Sequence, residues 1–406
     1  MSASQIIIGF LFWLGQVKFC ITIINRYIVF LRDSLAKHVF TISFATLMTA
    51  WPIVAFIFYH DLPLVGDTLR LHPRSIASLL LLLYLLYGDY LLLRANLRAL
   101  IKTWHNPLPE NVRLVKSRRV NPLDQYKEER GDARRRKEPE NKKHPVSPFL
   151  KYPLNMLNDY YQLESNTYEI LYDSLPSNFN GIRIAQISDL HYDRHLDSRF
   201  YEFCIREINN KHPDIIFVTG DNISRKHYNP EVMSYLSRLK APEGVFVLRG
   251  NHDFWQDRKG FAKEIRKTRC ILLNNRSVVI KRGGQAVRIV GVEHPWKRMK
   301  GWDRLLFPRD GLFTICATHT PDNFRRAADA GAALTLCGHT HGGQVRIPFF
   351  GPVVCPSKFS RRFDQGFFDK GNSLLYVNRG VGSTIPFRMR CSSEIGFFVL
   401  VGEEGA

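Results

Sequence analysis

Between residues 184 and 341 of this 406-residue chain, five short apolar runs each stop at a polar cluster. "IAQISDLH" ends in Asp189 and His191, and "IIFVTGDN" in Gly220 and Asp221. "VFVLRGNHD" delivers Gly250, Asn251, His252 and Asp253. "FTICATHTPD" contains His319, and "LTLCGHTH" closes on His339 and His341. Runs of this length and β-branched content read as buried strands. Helix-length stretches at 198–211 and 230–240 separate the early ones, while "SVVIKRGG" before "AVRIVGVE" is a hairpin signal. The pattern therefore requires an α/β domain of sheets with flanking helices. Its polar groups gather at strand ends, where open α/β folds place their sites.

The residue types at those ends suit divalent cations. A carboxylate such as Asp221 can bridge two of them, while imidazoles and one amide oxygen complete mixed N/O shells without neutralising the metals. Two cations about 3.5–4 Å apart clamp the attacking and leaving oxygens of an in-line phosphoryl displacement. They also acidify a bound water, so that hydroxide forms near neutral pH. No thiolate belongs to the set, which argues against a structural zinc site. Glycines before Asp221, Asn251 and His339 permit close backbone approach.

The order D-x-H, G-D, G-N-H-D, H, G-H-x-H resembles the calcineurin-like metallophosphoesterase superfamily, over roughly residues 182–401. The resemblance implies two packed mixed β-sheets flanked by helices, and a metal-dependent hydrolase. It implies that Asp189, His191 and His341 bind one metal, that Asn251, His319 and His339 bind the second, and that Asp221 bridges. His252 would then face the substrate and stabilise or protonate the leaving oxygen. Asp253 either polarises His252 or caps a turn. One departure stands out: where many members carry an acid shortly after G-D, "GDNISRKH" has Ser224 and Arg225. The resemblance also implies Mn²⁺, although Fe, Co or Zn suit the same shell.

Ahead of this domain lie two other regions. Residues 39–59 are 21 residues without a charge, and 75–93 are nearly as apolar. At 1.5 Å per helical residue, each is about long enough to cross a hydrocarbon core. The stretch 6–31 is apolar but broken by Lys18 and Arg26, so it fits either a span or an interfacial helix. Residues 1–104 thus read as a membrane region built on a transmembrane helical hairpin. Positive residues flank both ends of the hairpin, which puts both on the cytoplasmic side. Residues 105–151 read as a basic linker. Over 94–151 the chain holds 16 Lys/Arg against 7 Asp/Glu, and residues 115–148 lack apolar periodicity. Such a segment is a solvated tether or a patch for anionic lipid. Without interleaved stacking aromatics, nucleic-acid binding is not expected. The catalytic domain is expected over 152–406.

The tail "LYVNRGVGSTIPFRMRCSSEIGFFVL" resembles the membrane-associated bacterial branch that includes YkuE and YaeI. Gly380 and Gly382 are expected to shape a loop at the site rim, and Arg379 and Arg388 to be candidate phosphate contacts. Within that branch the overall pattern is most similar to the LpxG-type UDP-2,3-diacylglucosamine pyrophosphatases. That resemblance implies lipid A biosynthesis at the cytoplasmic face of a bacterial inner membrane, releasing UMP and 2,3-diacylglucosamine 1-phosphate. The expected partners are a phosphorylated glycolipid or phospholipid substrate and the membrane. The alternatives are a phosphodiesterase for another phospholipid or nucleotide, and a membrane scaffold with a vestigial site. Two basic-aromatic segments, 293–310 and 358–371, fit either a membrane interface or ordinary loops.

Overall fold

The computed structural model describes residues 108–124, 158–193, 196–347, 351–352 and 354–402. One unit, 107–347 with 361–406, holds both large sheets. The other, 1–106 with 348–360, is described only at 351–352 and 354–360.

Among the described residues fifteen strands follow in chain order: β1 Val112–Val120, β2 Leu163–Leu171, β3 Ile182–Ile187, β4 Ile215–Val218, β5 Gly244–Val247, β6 Ile271–Leu272, β7 Ser277–Arg282, β8 Gln285–Val292, β9 Phe313–Thr318, β10 Leu334–Cys337, β11 Arg346–Ile347, β12 Gly351–Pro352, β13 Gly366–Lys370, β14 Ser373–Val377 and β15 Ser393–Val401. The helices are α1 Ser198–Asn210, α2 Asn229–Leu236, α3 Asn251–Ile265, α4 Trp302–Leu305 and α5 Phe324–Asp329. A seven-stranded mixed sheet runs in the order β1-β2-β15-β3-β4-β5-β6. A six-stranded mixed sheet runs β13-β14-β10-β9-β8-β7.

The alternation of side chains across a strand explains how one sheet serves two cores. In β4, Ile215 and Phe217 enter the same core as Ile289, Ile315 and Leu336 of the second sheet. Ile216 and Val218, on the other face, join Phe200, Cys204 and Ile208 of α1 and Phe261 of α3. Helix α1 starts where Asp197 accepts the backbone N–H of Arg199 at 2.9 Å, an N-cap for an otherwise unpaired donor. Its apolar residues recur at helical spacing and cover the sheet.

β3, β4 and β5 are parallel, with Ile187 beside Val218 and Val218 beside Val247. β9 and β10 are parallel in the second sheet. The polar clusters follow the last residues of these five strands, so the sequence pattern becomes one edge of a sandwich.

Two expectations change. Part of the expected basic linker, Val112–Val120, is strand β1, paired antiparallel with β2. The globular domain thus begins well before residue 152. Composition concealed this because an edge strand is held by backbone pairing and turns its side chains outward. Only Val112 is buried. The aromatics of the two basic-aromatic segments are also largely internal. Trp302, Leu306, Phe307, Phe363 and Phe367 are buried, while Leu305 is exposed. The expected spans at 39–59 and 75–93, and the stretch 6–31, lie outside the described residues. Among the described residues no helix is long and apolar enough to cross a membrane.

Candidate metal centre

The turns after β3, β4 and β10 put five chemically important residues in the left-handed backbone region. Their φ values are 49° for Asp189, 41° for His191, 52° for Asp221, 73° for His339 and 51° for His341. For L-residues this costs roughly 1–2 kcal/mol each, so the surroundings must hold them. The Asp189 N–H donates to Gly220 O at 2.9 Å, and the His191 N–H to Asp221 O at 2.9 Å. The loop after β14 closes over them: Val381 N–H donates to Ser188 O at 3.0 Å, and Gly382 N–H to Asp189 O at 2.8 Å.

Two glycines are required by close approach. A Cβ on Gly250 would fall 2.1 Å from Asp221 Oδ1. One on Gly338 would fall 2.0 Å from Ser188 Oγ and 2.1 Å from Asp189 Oδ2. Any side chain there displaces a carboxylate of the site.

Three sets of ligand atoms converge, each within 4.8 Å: Asp189, His191 and His341; His191, Asp221 and His252; Asp221, His319 and His339. Asp221 is central. Its Oδ2 lies 3.4 Å from His191 Nε2 and 3.2 Å from His319 Nε2. Its Oδ1 accepts the His252 backbone N–H at 2.8 Å. His341 Nε2 stands 3.6 Å from Asp189 Oδ1. Thr219 O lies 2.8 Å from His319 Nδ1, which places a proton on Nδ1 and aims Nε2 at Asp221.

Burial and charge set the protonation. Burial raises the Asp221 carboxyl, but His319 and His252 outweigh it and hold it well below its ordinary value. Burial pushes Asp189 up to about 6, with His319 opposing. His191 and His339 are lowered by burial first, then by His252 and His319 respectively. Burial, then the Arg388 charge, lowers His341 to about 3. Burial pulls His319 down too, but Asp221 and Asp189 prevail and raise it to about 9. Three imidazoles are thus neutral around buried carboxylates.

These residues fit divalent cations. Among the described residues, both ring nitrogens of His191, Asn251 Oδ1, His339 Nε2 and His341 Nδ1 are buried without a hydrogen-bond partner. All of these belong to the expected ligand set, although atoms elsewhere, such as Asn229 Oδ1 and Trp302 Nε1, are also buried without a partner.

The expected pair Arg379 and Arg388 is different. Arg388 is fully buried, and its guanidinium donates to the carbonyls of Arg379, Gly380, Gly382 and Cys391. Arg379 bonds Glu394 at 3.2 Å and Glu164 at 2.6 Å. Their bonded donors brace the rim loop. Asp253 makes the contacts of a turn cap. Its carboxylate accepts the backbone N–H groups of Gly250, Asn222 and Ile223 and the Asn222 side chain. It caps α3 and ties that helix to the Asp221 turn.

Residue type alone left two neighbours unnoticed. Ser188 Oγ donates to Asp189 Oδ2 at 2.5 Å. The Trp296 ring stands edge-on to His319 and His339, 5.3 Å from each. The serine's position before Asp189 was a usable signal; nothing in the sequence brings Trp296 to the histidines.

A family model described as calcineurin-like phosphoesterase matches residues 182–343, the stretch that carries every one of these ligand atoms. Residues 182–343 are a calcineurin-like phosphoesterase domain. This domain is that of a metal-dependent hydrolase, and members of the matched family bind two divalent metals. It is 29% identical over 251 residues to the metallophosphoesterase YkuE of Bacillus subtilis, covering 59% of this chain and 86% of that protein. It is 29% identical over 227 residues to Phosphodiesterase YaeI of Escherichia coli, covering 54% and 82%. It is 27% identical over 291 residues to the UDP-2,3-diacylglucosamine pyrophosphatase LpxG of Chlamydia trachomatis, covering 55% and 85%.

Proposed function

We propose that the phosphoesterase hydrolyses the pyrophosphate of UDP-2,3-diacylglucosamine, yielding UMP and 2,3-diacylglucosamine 1-phosphate. The observation that carries the chemistry is Asp221, with one carboxylate oxygen between His191 and His319 at 3.4 and 3.2 Å. Asp189, His191 and His341 would hold one cation, and Asn251, His319 and His339 the other, with Asp221 shared. Bound divalent cations supply Lewis acidity and an acidified water. Mn²⁺ is the proposed occupant, and Fe, Co and Zn fit the same donors.

The remaining chemistry falls to the chain. Hydrolysis adds water across one P–O bond, and the departing oxygen needs a proton. His252 is the proposed donor. Its backbone is fixed by Asp221, and its ring lies 4.6 Å from that of His191 and 5.1 Å from that of Trp255. The buried carboxylates and neutral imidazoles would hold the cations away from bulk water.

The likeness to LpxG supports the substrate. The likeness to YaeI favours a second reading, a phosphodiesterase acting on another phospholipid or nucleotide. The complete ligand set speaks against a scaffold with a vestigial site. The proposed location is the cytoplasmic face of a bacterial inner membrane, on the strength of the apolar segments and their basic flanks.

The test is a comparison, with purified full-length protein, of UMP release from UDP-2,3-diacylglucosamine with hydrolysis of bis-p-nitrophenyl phosphate. Turnover of the simple diester without UMP release would give the second reading precedence. Topology has its own test in Ser174→Cys, since Ser174 is exposed and lies outside β1. A membrane-impermeant thiol reagent should reach that cysteine only after the inner membrane is opened.

A further inference from the structure

Strand β1 is an edge strand with four cations, Arg113, Lys116, Arg118 and Arg119, and no acid. Cations on an edge commonly guard against pairing with another sheet. That explanation does not cover Leu114 and Val115, which stand among them 45% and 57% exposed at a register shift. An edge that only repels partners gains nothing by presenting two adjacent apolar side chains. Beside the strand is a cavity of about 270 Å³. It is lined by Lys116 and Arg118, Ser165 of β2, Glu207 and Asn210 of α1, and Lys211. Three cations face one carboxylate there. That carboxylate is partly engaged already, by Ser165 Oγ at 3.2 Å and Arg118 at 3.7 Å.

We propose that this pocket binds the phosphate of an anionic lipid headgroup, and that β1 thereby seats the domain on a bilayer. The mixture of basic and apolar groups suits the headgroup boundary, where cations meet phosphate and short apolar side chains enter the acyl region. Position along the chain agrees. The apolar segment 75–93 ends 18 residues before β1 begins. Fully extended, those residues reach at most about 60 Å, so a membrane held there leaves β1 within range of its surface.

Topology adds the orientation. β1 runs antiparallel to β2, β2 parallel to β15, and β15 antiparallel to β3. The C-terminal residues of β1 therefore lie at the sheet edge where β3, β4 and β5 end in the metal-centre residues. Arg119 pairs with Asp159 at 2.5 Å. Asp159 in turn accepts the Cys391 N–H at 3.3 Å and donates its own N–H to Arg388 O at 2.7 Å. The basic edge is thus tied directly to the rim loop, and a bilayer bound along β1 meets the domain on its catalytic edge.

Hydrogen–deuterium exchange on the full-length chain tests this. The outward N–H groups of an edge strand are unpaired and report any cover placed over them. Peptides spanning β1 and the end of α1 should exchange more slowly in nanodiscs containing phosphatidylglycerol than in discs of phosphatidylcholine alone. Added salt should reverse the slowing. The K116Q/R118Q variant should lose the difference while keeping its unfolding midpoint, because both side chains are exposed. Equal exchange in the two discs, or an unchanged difference in the variant, overturns the proposal. Protection by inorganic phosphate alone, with no effect of anionic lipid, overturns the lipid as its source.

Discussion

The backbone N–H of His252 donates to Oδ1 of Asp221 at 2.8 Å, although the two side chains have different proposed work. Asp221 is proposed to touch both cations, and His252 only the reacting end of the substrate. Asp221→Ala should therefore remove bound metal and turnover together. His252→Ala should keep nearly normal metal content while turnover falls about 10²–10⁴-fold, the usual contribution of a general acid. Metal analysis beside steady-state kinetics on both variants is the check. Loss of metal from His252→Ala would reassign that histidine as a ligand.

The two histidines at the end of β10 belong to different proposed shells, and each should answer for one cation. His341→Ala should weaken the position shared with Asp189 and His191, and His339→Ala the one shared with Asn251 and His319. Each variant should bind about one metal fewer than the parent and lose most of its activity. Exhaustive chelation of the parent should abolish turnover, and Mn²⁺ should restore it. Full activity after chelation would contradict the dimetal reading.

The ligand-bearing strand ends were legible because buried strands have a short apolar signature and their ends break it with residues of unmistakable chemistry. Asp189, His191, Asp221, His319, His339 and His341 lie in clusters that could hold a metal ion. What escaped is what sequence encodes only through three-dimensional partners. β1 looks like linker because its pairing lies in the backbone. Arg388 and a substrate-binding arginine are the same letter, and only the four carbonyls around this one distinguish them. Asp253 adjoins His252 in the chain, and only the folded structure shows that it accepts from the Asp221 turn and the start of α3.

Glu394 gives the rim loop a measurable pH dependence. It accepts from Tyr376 Oη at 2.6 Å, Asn166 Nδ2 at 2.9 Å and Arg379 Nε at 3.2 Å. Burial raises its carboxyl, but Arg379 outweighs burial and holds it below the ordinary value of 4.5. A carboxyl depressed by folding contributes its stability above that ordinary value and loses it as pH falls through the folded one. Glu394→Gln should lower stability by about 3 kcal/mol at neutral pH, as expected for a broken buried ion pair. The gap to the parent should narrow below pH 4.5. Urea unfolding across that range measures it, and a gap independent of pH would refute the assignment.

Arg388 offers the clearest separation between a substrate contact and a structural brace. Its guanidinium is buried and satisfies carbonyls of Arg379, Gly380, Gly382 and Cys391. The same loop places Gly382 N–H on Asp189 O. Arg388→Met keeps much of the volume but leaves those carbonyls unpaired, at about 1–3 kcal/mol for each that water cannot reach. Stability should fall by at least about 3 kcal/mol. Metal affinity should fall with it, because the Asp189 turn loses its cover. Arg388→Lys, which keeps the charge but cannot serve four carbonyls, should fall between the two. A phosphate contact would behave otherwise: Arg388→Met would raise KM for a soluble diester and leave the urea midpoint and metal content as they were.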